Sequence, residues 1–314
     1  MICSVIIPTY NNPDLIIEAL VSIEKQSYPY WEVVLVDDCS TDHTLEAIRQ
    51  FIHNSNHQHK YKLIPLPENG GVSHAKGIGV KQSTGDIIVI CDHDDALAPN
   101  ALEEVVETHR AHPNASIVFS QHYNCDFLLN PIEIEACSAP VIYSDILEEK
   151  VGHLLSYKRK HYDLTPGYDR YFKVADDKDI IYKLEEVGDA IFIEKPLYFY
   201  RISTRGASRG FEGFNKSRDE KLVAAQNAIA RRKKSGVKQI PEKAFTKFLS
   251  EHYLLQAEGY ILMDKPLGKA FVESLFKSFT YHPFLNLKRK VKAALLLSRI
   301  KRRAKSLLVH YNPQ

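Results

Sequence analysis

The strongest constraint on the fold is an alternation of short apolar runs with amphipathic segments through the first 120 residues. Five runs have the length and composition of buried strands, namely residues 2–7, 32–36, 61–66, 86–91 and 115–120. The segments between them carry apolar residues at helical spacing, as Ile16, Leu20 and Ile23 do. Strands that alternate with helices form a mostly parallel sheet covered on both faces. We therefore predict an α/β fold with a Rossmann-like sheet.

The overall composition is that of a soluble globular protein. The 314 residues are 44% hydrophobic and 25% charged. The five cysteines are odd in number and lack CxxC spacing, which indicates reduced thiols rather than a disulfide framework or a zinc site. No run approaches the roughly 18 apolar residues of a membrane-spanning helix, and the first residues predict a strand rather than a signal peptide. We therefore expect a cytoplasmic protein.

Charge is distributed unevenly along the chain. Beyond Glu273 there are ten Lys and Arg residues and no Asp or Glu, whereas the residues before that point are acidic overall. Near the C-terminus, one helical stripe collects the apolar residues Ala293, Leu296, Leu297, Ile300, Ala304, Leu307 and Leu308. A basic amphipathic helix of this kind can bind an anionic membrane, so we expect peripheral association with the cytoplasmic face of a membrane. The alternative is a helix packed on the protein itself. Nucleic acid is not expected, because the tail lacks interleaved aromatic residues.

Polar side chains follow three of the predicted strands, where each strand ends. These segments are Pro8-Thr9-Tyr10, Asp37-Asp38 and Asp92-His93-Asp94-Asp95. Any one of them alone would suggest only a turn. Because ligands of such sheets bind outside the carboxyl ends of the strands, the three together predict a binding site.

The chemistry of Asp92 and Asp94 suits a divalent cation. Two carboxylates after a buried strand repel each other unless a cation neutralises them, and Mg²⁺ or Mn²⁺ held in this way keeps positions for phosphate oxygens. The implied ligand is a nucleoside diphosphate. The sequence lacks the GxxxxGK[ST], GxGxxG and GxSxG motifs, which argues against a P-loop NTPase, a dinucleotide enzyme and an α/β-hydrolase.

Four motifs in order carry a resemblance to a known family. The segments SVIIPTYNN, VVLVDDCSTD, ENGGVSHAKGIGV and STGDIIVICDHDD resemble glycosyltransferase family 2, which has a GT-A fold. The resemblance covers about residues 2–204 and extends to VADDKDIIYKL and PLYFYRIS. It implies that the protein transfers a sugar, with inversion at the anomeric carbon, from a nucleotide diphosphate donor. The expected donor is a UDP-sugar. The acceptor would be a hydroxyl of a glycan or lipid-linked molecule in cell-surface polysaccharide or lipopolysaccharide synthesis.

The resemblance also implies a set of donor contacts. The pocket for the nucleoside base would comprise Pro8, Thr9, Tyr10 and Asp38. Asp92 would contact the ribose or donor, and Asp94 would bind the divalent cation, Mn²⁺ or Mg²⁺. Lys76 would face the donor, although a solvated helix residue fits the sequence equally well. His93 would be a bystander or a further donor contact.

The catalytic base implied by the resemblance is Asp177, with Asp176 beside it. A carboxylate opposite the leaving diphosphate can accept the proton of the attacking hydroxyl. The alternative is that these aspartates only favour a helix N-terminus by their charge. The chain departs from the family where Asp176 replaces the usual Glu, and where Ser203 replaces a His found in many members.

Two other functions remain open at the level of the sequence. A nucleotidyltransferase also uses a parallel sheet and Mg²⁺, but it would need a Gly-rich basic loop after the first strand. A catalytically idle nucleotide-sugar-binding scaffold, anchored by its tail, is the second alternative.

We expect a catalytic domain over residues 1–214, with a nucleotide-binding half (1–120) and an acceptor half (121–214), followed by a helical extension over residues 215–314.

Overall fold

The computed structural model describes residues 1–135, 144–202, 210–263, 265 and 267–296. The contacts divide the chain into two compact units. The first unit comprises Met1–Arg205 and Ala224–Lys238, and the second comprises Gly206–Val223 and Gln239–Gln314.

The first half of the sheet in the first unit is parallel. Its strands are β1 (Cys3–Thr9), β2 (Trp31–Asp37), β3 (Tyr61–Pro65) and β4 (Ile87–Ile90), and they lie in the order β3-β2-β1-β4. The helices between them are α1 (Leu15–Glu24), α2 (Thr44–Asn54) and α3 (Val72–Gln82). These elements confirm the predicted strand–helix alternation.

The second half of the sheet is mostly antiparallel. The order continues β4-β8-β6-β9-β5, with β7 paired to β6, and the strands are β5 (Ala96–Leu97), β6 (Ala115–Cys125), β7 (Pro131–Ile134), β8 (Ser156–Lys158) and β9 (Asp189–Arg201). Among the strands that the structure describes in this half, only β6 and β9 pair in parallel. The helices are α4 (Ala101–Ala111), α5 (Asp145–Glu148), α6 (Arg159–Tyr162) and α7 (Asp176–Glu185). The sheet is therefore mixed, and β6 is longer than the predicted run 115–120 because it pairs with β9 along most of its length.

The core of the first unit lies on both faces of the parallel strands. Val33, Val34, Leu35 and Val36 of β2 are all fully buried, as expected when helices cover both sides of a strand. The apolar stripe of α1 that the sequence predicted is buried as well. The described cysteines, Cys3, Cys39, Cys91 and Cys125, are free thiols.

Buried ion pairs fix α7 within the first unit. Lys178 Nζ lies 2.8 Å from Asp145 Oδ2 at the start of α5. At the other end of α7, Glu185 accepts hydrogen bonds from Ser144 at 2.6 Å and from Arg232 at 2.8 Å. Arg232 belongs to the part of α8 (Gly210–Ser235) that lies in this unit. Because both ends of α7 are tied down, the side chains of its first turn have a fixed position.

The second unit is helical. It contains the first part of α8 together with α9 (Glu242–Leu262), α10 (Lys269–Tyr281) and a helical segment over residues 287–296. Its core contains Leu254, Ala257, Phe271, Leu275 and Ala293. Among the described residues, none of the helices combines the length and hydropathy needed to cross a bilayer.

The predicted basic tail is described only at its beginning. Ala293, which was expected on a membrane-facing stripe, is buried in the core of the second unit. At this residue the alternative, a helix packed on the protein itself, is correct. Leu297 and the rest of the predicted stripe lie outside the described residues.

The contact of α3 with β1 yields a test of the packing. A Cβ atom at Gly79 would clash with Ile6 Cγ2, whereas a Cβ atom at Gly77 would stand 3.4 Å from Tyr168 Cβ. We expect Gly79→Ala to lower the free energy of unfolding by about 1–3 kcal/mol, the usual cost of overpacking a core. Gly77→Ala, in the same helix, should be neutral or slightly stabilising because Ala favours helix. Urea denaturation of both variants measures the difference, and equal stabilities would contradict the close approach.

Burial of His109 makes stability depend on pH. Burial, together with Lys158 and His161, lowers the pKa of His109 to about 3. The unfolded chain protonates this group near pH 6.5, so unfolding takes up a proton below that pH. Stability therefore falls as the pH drops from about 6.5 towards 3, by up to about 1.4 kcal/mol per pH unit. We expect His109→Phe to flatten the curve of unfolding free energy against pH.

The control for this prediction is His112→Gln, at an exposed position at the end of the same helix. It should retain the pH dependence of the wild type. A His109→Phe protein with the same slope as the wild type between pH 6.5 and 4 would contradict the prediction.

Candidate functional site

The three polar strand ends meet at one edge of the sheet. The N–H of Asp38 donates to the carbonyl of Thr9 at 2.9 Å, which joins the ends of β2 and β1. His93 Nδ1 lies 3.1 Å from the carbonyl oxygen of Pro8, which joins the end of β4 to the same place. The side chain of His93 is therefore directed towards β1.

Asp38 orders the loop that leads into α3. Its carboxylate accepts hydrogen bonds from the N–H groups of Gly70 and Gly71 at 2.7 and 2.8 Å. Gly71 has a φ of +88°, a conformation that glycine adopts without strain. Tyr10 is 43% exposed at the same edge, so its ring is free to stack on a ligand. Asp38 thus orders this loop at the ligand edge of the sheet, a function that the sequence did not reveal.

Lys76 joins two acidic segments inside the protein. Its ammonium lies 3.5 Å from Asp92 Oδ1 and 3.0 Å from Asp176 Oδ2, and its side chain is only 7% exposed. The reading of Lys76 as a solvated helix residue is therefore wrong. Burial lowers the pKa of Lys76, but the carboxylates of Asp176 and Asp92 outweigh it and raise the pKa above its usual value. Lys76 is thus a permanent cation.

The carboxylates after β4 differ in their electrostatic surroundings. Burial raises the pKa of Asp92, but Lys76, His153 and His93 together outweigh burial, and the net pKa is lowered. The pKa of Asp94 is raised, by burial and by the charge of Asp92. The negative charge at Asp94 is therefore poorly compensated, and a cation bound there would relieve it.

Asp92 and Asp94 together fit a divalent cation of the magnesium or manganese type. Both are partly exposed at the ligand edge, and carboxylate oxygens are the ligands that such ions prefer. Within the described parts of the chain, no group of three or more His, Cys, Asp or Glu side chains is arranged to hold a metal ion. An ion held by one or two carboxylates and by substrate phosphates does not need such a cage.

A buried network that the sequence analysis missed holds the turn after β4. The Asp95 carboxylate accepts hydrogen bonds from the Tyr198 hydroxyl at 2.7 Å and from the Arg201 N–H at 2.8 Å. The same Tyr198 oxygen accepts the N–H of Asp92 at 3.2 Å.

The guanidinium of Arg201 completes this network. It is fully buried and donates to the Asp94 carbonyl at 2.6 Å, to Glu18 at 2.8 Å and to the Phe127 carbonyl. Strand β9 therefore fixes both the backbone and the direction of residues 92–95. The only sequence signal was a third aspartate beside the pair already considered.

The first turn of α7 faces the same site. Asp176 is buried against Lys76, and burial together with Asp177 raises its pKa despite that ion pair. Asp177 is half-buried and acts electrostatically on both Lys76 and His153. The expected base and the expected donor carboxylates are thus brought together through Lys76. Ser203, the position of the departure from the family, lies outside the described residues.

His153 is a further side chain at the site that the sequence analysis did not identify. Its ring stacks on Tyr198 and Tyr200, with centroids 5.1 and 4.3 Å apart, and meets His122 edge-on at 4.6 Å. Burial and His122 lower the pKa of His153 to about 4, although Asp92 and Asp177 act in the opposite direction. The ring is therefore neutral near pH 7.

Comparison with known proteins places this geometry in context. The profile of glycosyl transferase family 2 matches residues 4–164, just over half of the chain. The uncharacterized protein y4gI of Sinorhizobium fredii is 37% identical over 65% of this chain and 23% of its own length. The poly(ribitol-phosphate) β-N-acetylglucosaminyltransferase TarS of Staphylococcus aureus is 29% identical over 61% of this chain and 32% of its own length. The chain thus matches less than half the length of these curated relatives.

The similarity to solved structures covers a larger share of this chain than the sequence similarity does. The crystal structure of a TarS fragment in complex with UDP-GlcNAc gives a TM-score of 0.66 at 22% identity, covering 90% of this chain and 81% of that one. The mannosyltransferase PcManGT of Pyrobaculum calidifontis, with GDP-Man and Mn²⁺, gives 0.53 at 23% identity, covering 93% and 86%. These similarities confirm the predicted GT-A-type α/β fold with a helical C-terminal region.

The matched profile runs from the first strand through the acidic turn after β4 to α6. On this match the chain belongs to glycosyl transferase family 2.

Proposed function

We propose that the protein is an inverting glycosyltransferase that moves a sugar from a nucleotide diphosphate donor to a hydroxyl acceptor. The observation that carries the proposal is the position of Lys76 between Asp92 and Asp176. This ion-pair cluster connects two places. One is the sheet edge where a donor would bind, and the other is the first turn of α7, which bears Asp177. A site of this kind supplies a pocket for the diphosphate and a carboxylate for proton transfer at one place.

In the proposed reaction, Asp177 accepts the proton of the acceptor hydroxyl as the hydroxyl oxygen attacks the anomeric carbon. The new carbon–oxygen bond forms as the bond to the diphosphate breaks, and attack from the opposite face inverts the anomeric centre. Asp92 and Asp94 would hold the divalent cation, which stabilises the charge on the leaving diphosphate. Asp38 and Tyr10 line the proposed nucleoside pocket, with Pro8 and Thr9 beneath them.

A UDP-sugar is the proposed donor, and a glycan or lipid-linked molecule the proposed acceptor. TarS was solved with UDP-GlcNAc and acts on poly(ribitol phosphate), and a chondroitin synthase of Escherichia coli is 29% identical over 62% of this chain. These relatives support a role in cell-surface polysaccharide synthesis. We assign the chemistry to the first unit, which contains every residue named above.

We further propose that the second unit binds the surface of an anionic membrane. Leu287, Val291 and Leu295 follow one another at four-residue spacing and are 42%, 42% and 53% exposed. Lys288 and Lys292 are exposed beside them. This terminal stripe, Leu287, Val291 and Leu295, combines apolar surface with positive charge, as interfacial helices do.

The catalytic proposal is tested by two substitutions. With a panel of UDP-sugars and Mn²⁺, we expect the wild type to release UDP in the presence of an acceptor extract. Asp177→Asn should lose about 10²–10⁴-fold in turnover, the usual contribution of a general base, while still binding UDP. Asp94→Asn should weaken the dependence of UDP binding on Mn²⁺. Turnover assays and calorimetric titration of UDP measure these effects.

The control is Asp86→Asn, at the exposed opposite end of β4, which should retain both activities. Full turnover in Asp177→Asn would contradict the assignment of the base. Binding of nucleotide sugars without turnover in any acceptor extract would favour the idle scaffold.

The membrane proposal is tested by co-sedimentation with vesicles. The wild type should bind vesicles that contain phosphatidylglycerol more strongly than vesicles of phosphatidylcholine alone. Replacing Leu287, Val291 and Leu295 together by Gln should weaken this binding by on the order of tenfold or more, because buried apolar area contributes to it. The matched control replaces three exposed apolar residues of the first unit, Leu128, Ile132 and Ile134. Equal binding by both triple variants would contradict the proposal.

A further inference from the structure

His153 lies near Asp92, and Tyr198 connects the two residues. The ring of Tyr198 stacks on the ring of His153, with centroids 5.1 Å apart. The hydroxyl of the same Tyr198 accepts a hydrogen bond from the N–H of Asp92 at 3.2 Å. His153 is therefore close to the segment that carries the proposed donor carboxylate.

The ring of His153 is held in one orientation, but its nitrogens are not engaged. Tyr198 and Tyr200 stack against the ring, and His122 contacts it edge-on. In the part of the chain that the structure describes, neither ring nitrogen has a hydrogen-bond partner, and neither is fully buried. A fixed polar group that is unpaired at the edge of a site is suited to bind a ligand.

The charges around His153 come from both sides of the proposed reaction. Asp92, on the donor side, and Asp177, the proposed base, both act on the ring. If the proposed function holds, the sugar unit in transfer lies between these two carboxylates. A neutral imidazole offers one donor and one acceptor, which matches a sugar hydroxyl.

We propose that His153 hydrogen-bonds a hydroxyl of the sugar unit being transferred and so helps to select the donor sugar. This inference rests on the proposed function. A site built to bond a hydroxyl rejects analogues that lack it, because the polar group of the protein is then left unpaired. His153 is thus assigned to recognition of the sugar and not of the nucleotide.

The test compares the affinities for UDP and for UDP-sugars in the same protein. Calorimetric titrations with Mn²⁺ would use UDP, UDP-glucose, UDP-galactose, UDP-GlcNAc and UDP-GalNAc. His153→Phe keeps an aromatic ring between the tyrosines but removes both nitrogens. We expect it to bind UDP as the wild type does and the preferred UDP-sugar about 3–10-fold more weakly, the effect of one neutral hydrogen bond. His153→Gln, which retains a donor and an acceptor, should recover part of this loss.

The control is His112→Gln, which removes an exposed imidazole at the end of α4, outside this ring cluster. It should leave both affinities unchanged, and thermal melting should show whether each variant is folded. The inference is overturned if His153→Phe weakens UDP and UDP-sugar equally, or weakens neither. If His153→Phe binds UDP-sugars as the wild type does, the role of His153 is contradicted but the proposed function is not. A folded wild type that binds no UDP-sugar contradicts the proposed donor class and this inference with it.

Discussion

The site depends on the buried ammonium of Lys76, which lies between Asp92 and Asp176. These carboxylates belong to segments 84 residues apart in the chain, and without a cation between them their charges would oppose the approach of α7 to the end of β4. Removing one member of a buried ion pair commonly costs about 3–5 kcal/mol, because the other charge is left uncompensated. The pair is therefore a constraint on the geometry of the site more than a source of net stability.

The turn after β4 is held in a second way, by neutral and charged hydrogen bonds from β9. Tyr198 and Arg201 contact the side chain of Asp95 and the backbone of Asp92 and Asp94. Because these contacts come from a distant strand, the backbone that carries the two outer carboxylates is positioned before any ligand binds. Such preorganisation favours binding, because no binding free energy is then lost in ordering the protein.

The elements predicted most accurately are those whose pattern is local. The four parallel strands and α1 to α4 follow from runs of Val and Ile and from helical spacing, since their burial repeats with the period of the element itself. The long pairing of β6 with β9, and the insertion of β8 between β4 and β6, were not predicted. Those pairings depend on segments more than 35 residues apart, and no local period in the sequence marks the partner. Ala293 was misplaced for a related reason: an apolar stripe is the same whether a membrane or the protein covers it.

The order of acidic and aromatic residues after the strands was enough to predict that the three strand ends meet at one edge of the sheet, and the motifs were enough to indicate the family. The first prediction follows from the rule that parallel strands end at a common edge, so that sequence position alone brings those residues together. The family was indicated separately, by the resemblance of the motifs. The burial of Lys76, the network beneath Asp92 and Asp94, and the place of His153 beside them were decided by the tertiary structure. Each depends on contacts between segments far apart in the chain, and the residues concerned acquire their charge state and orientation only when those segments pack.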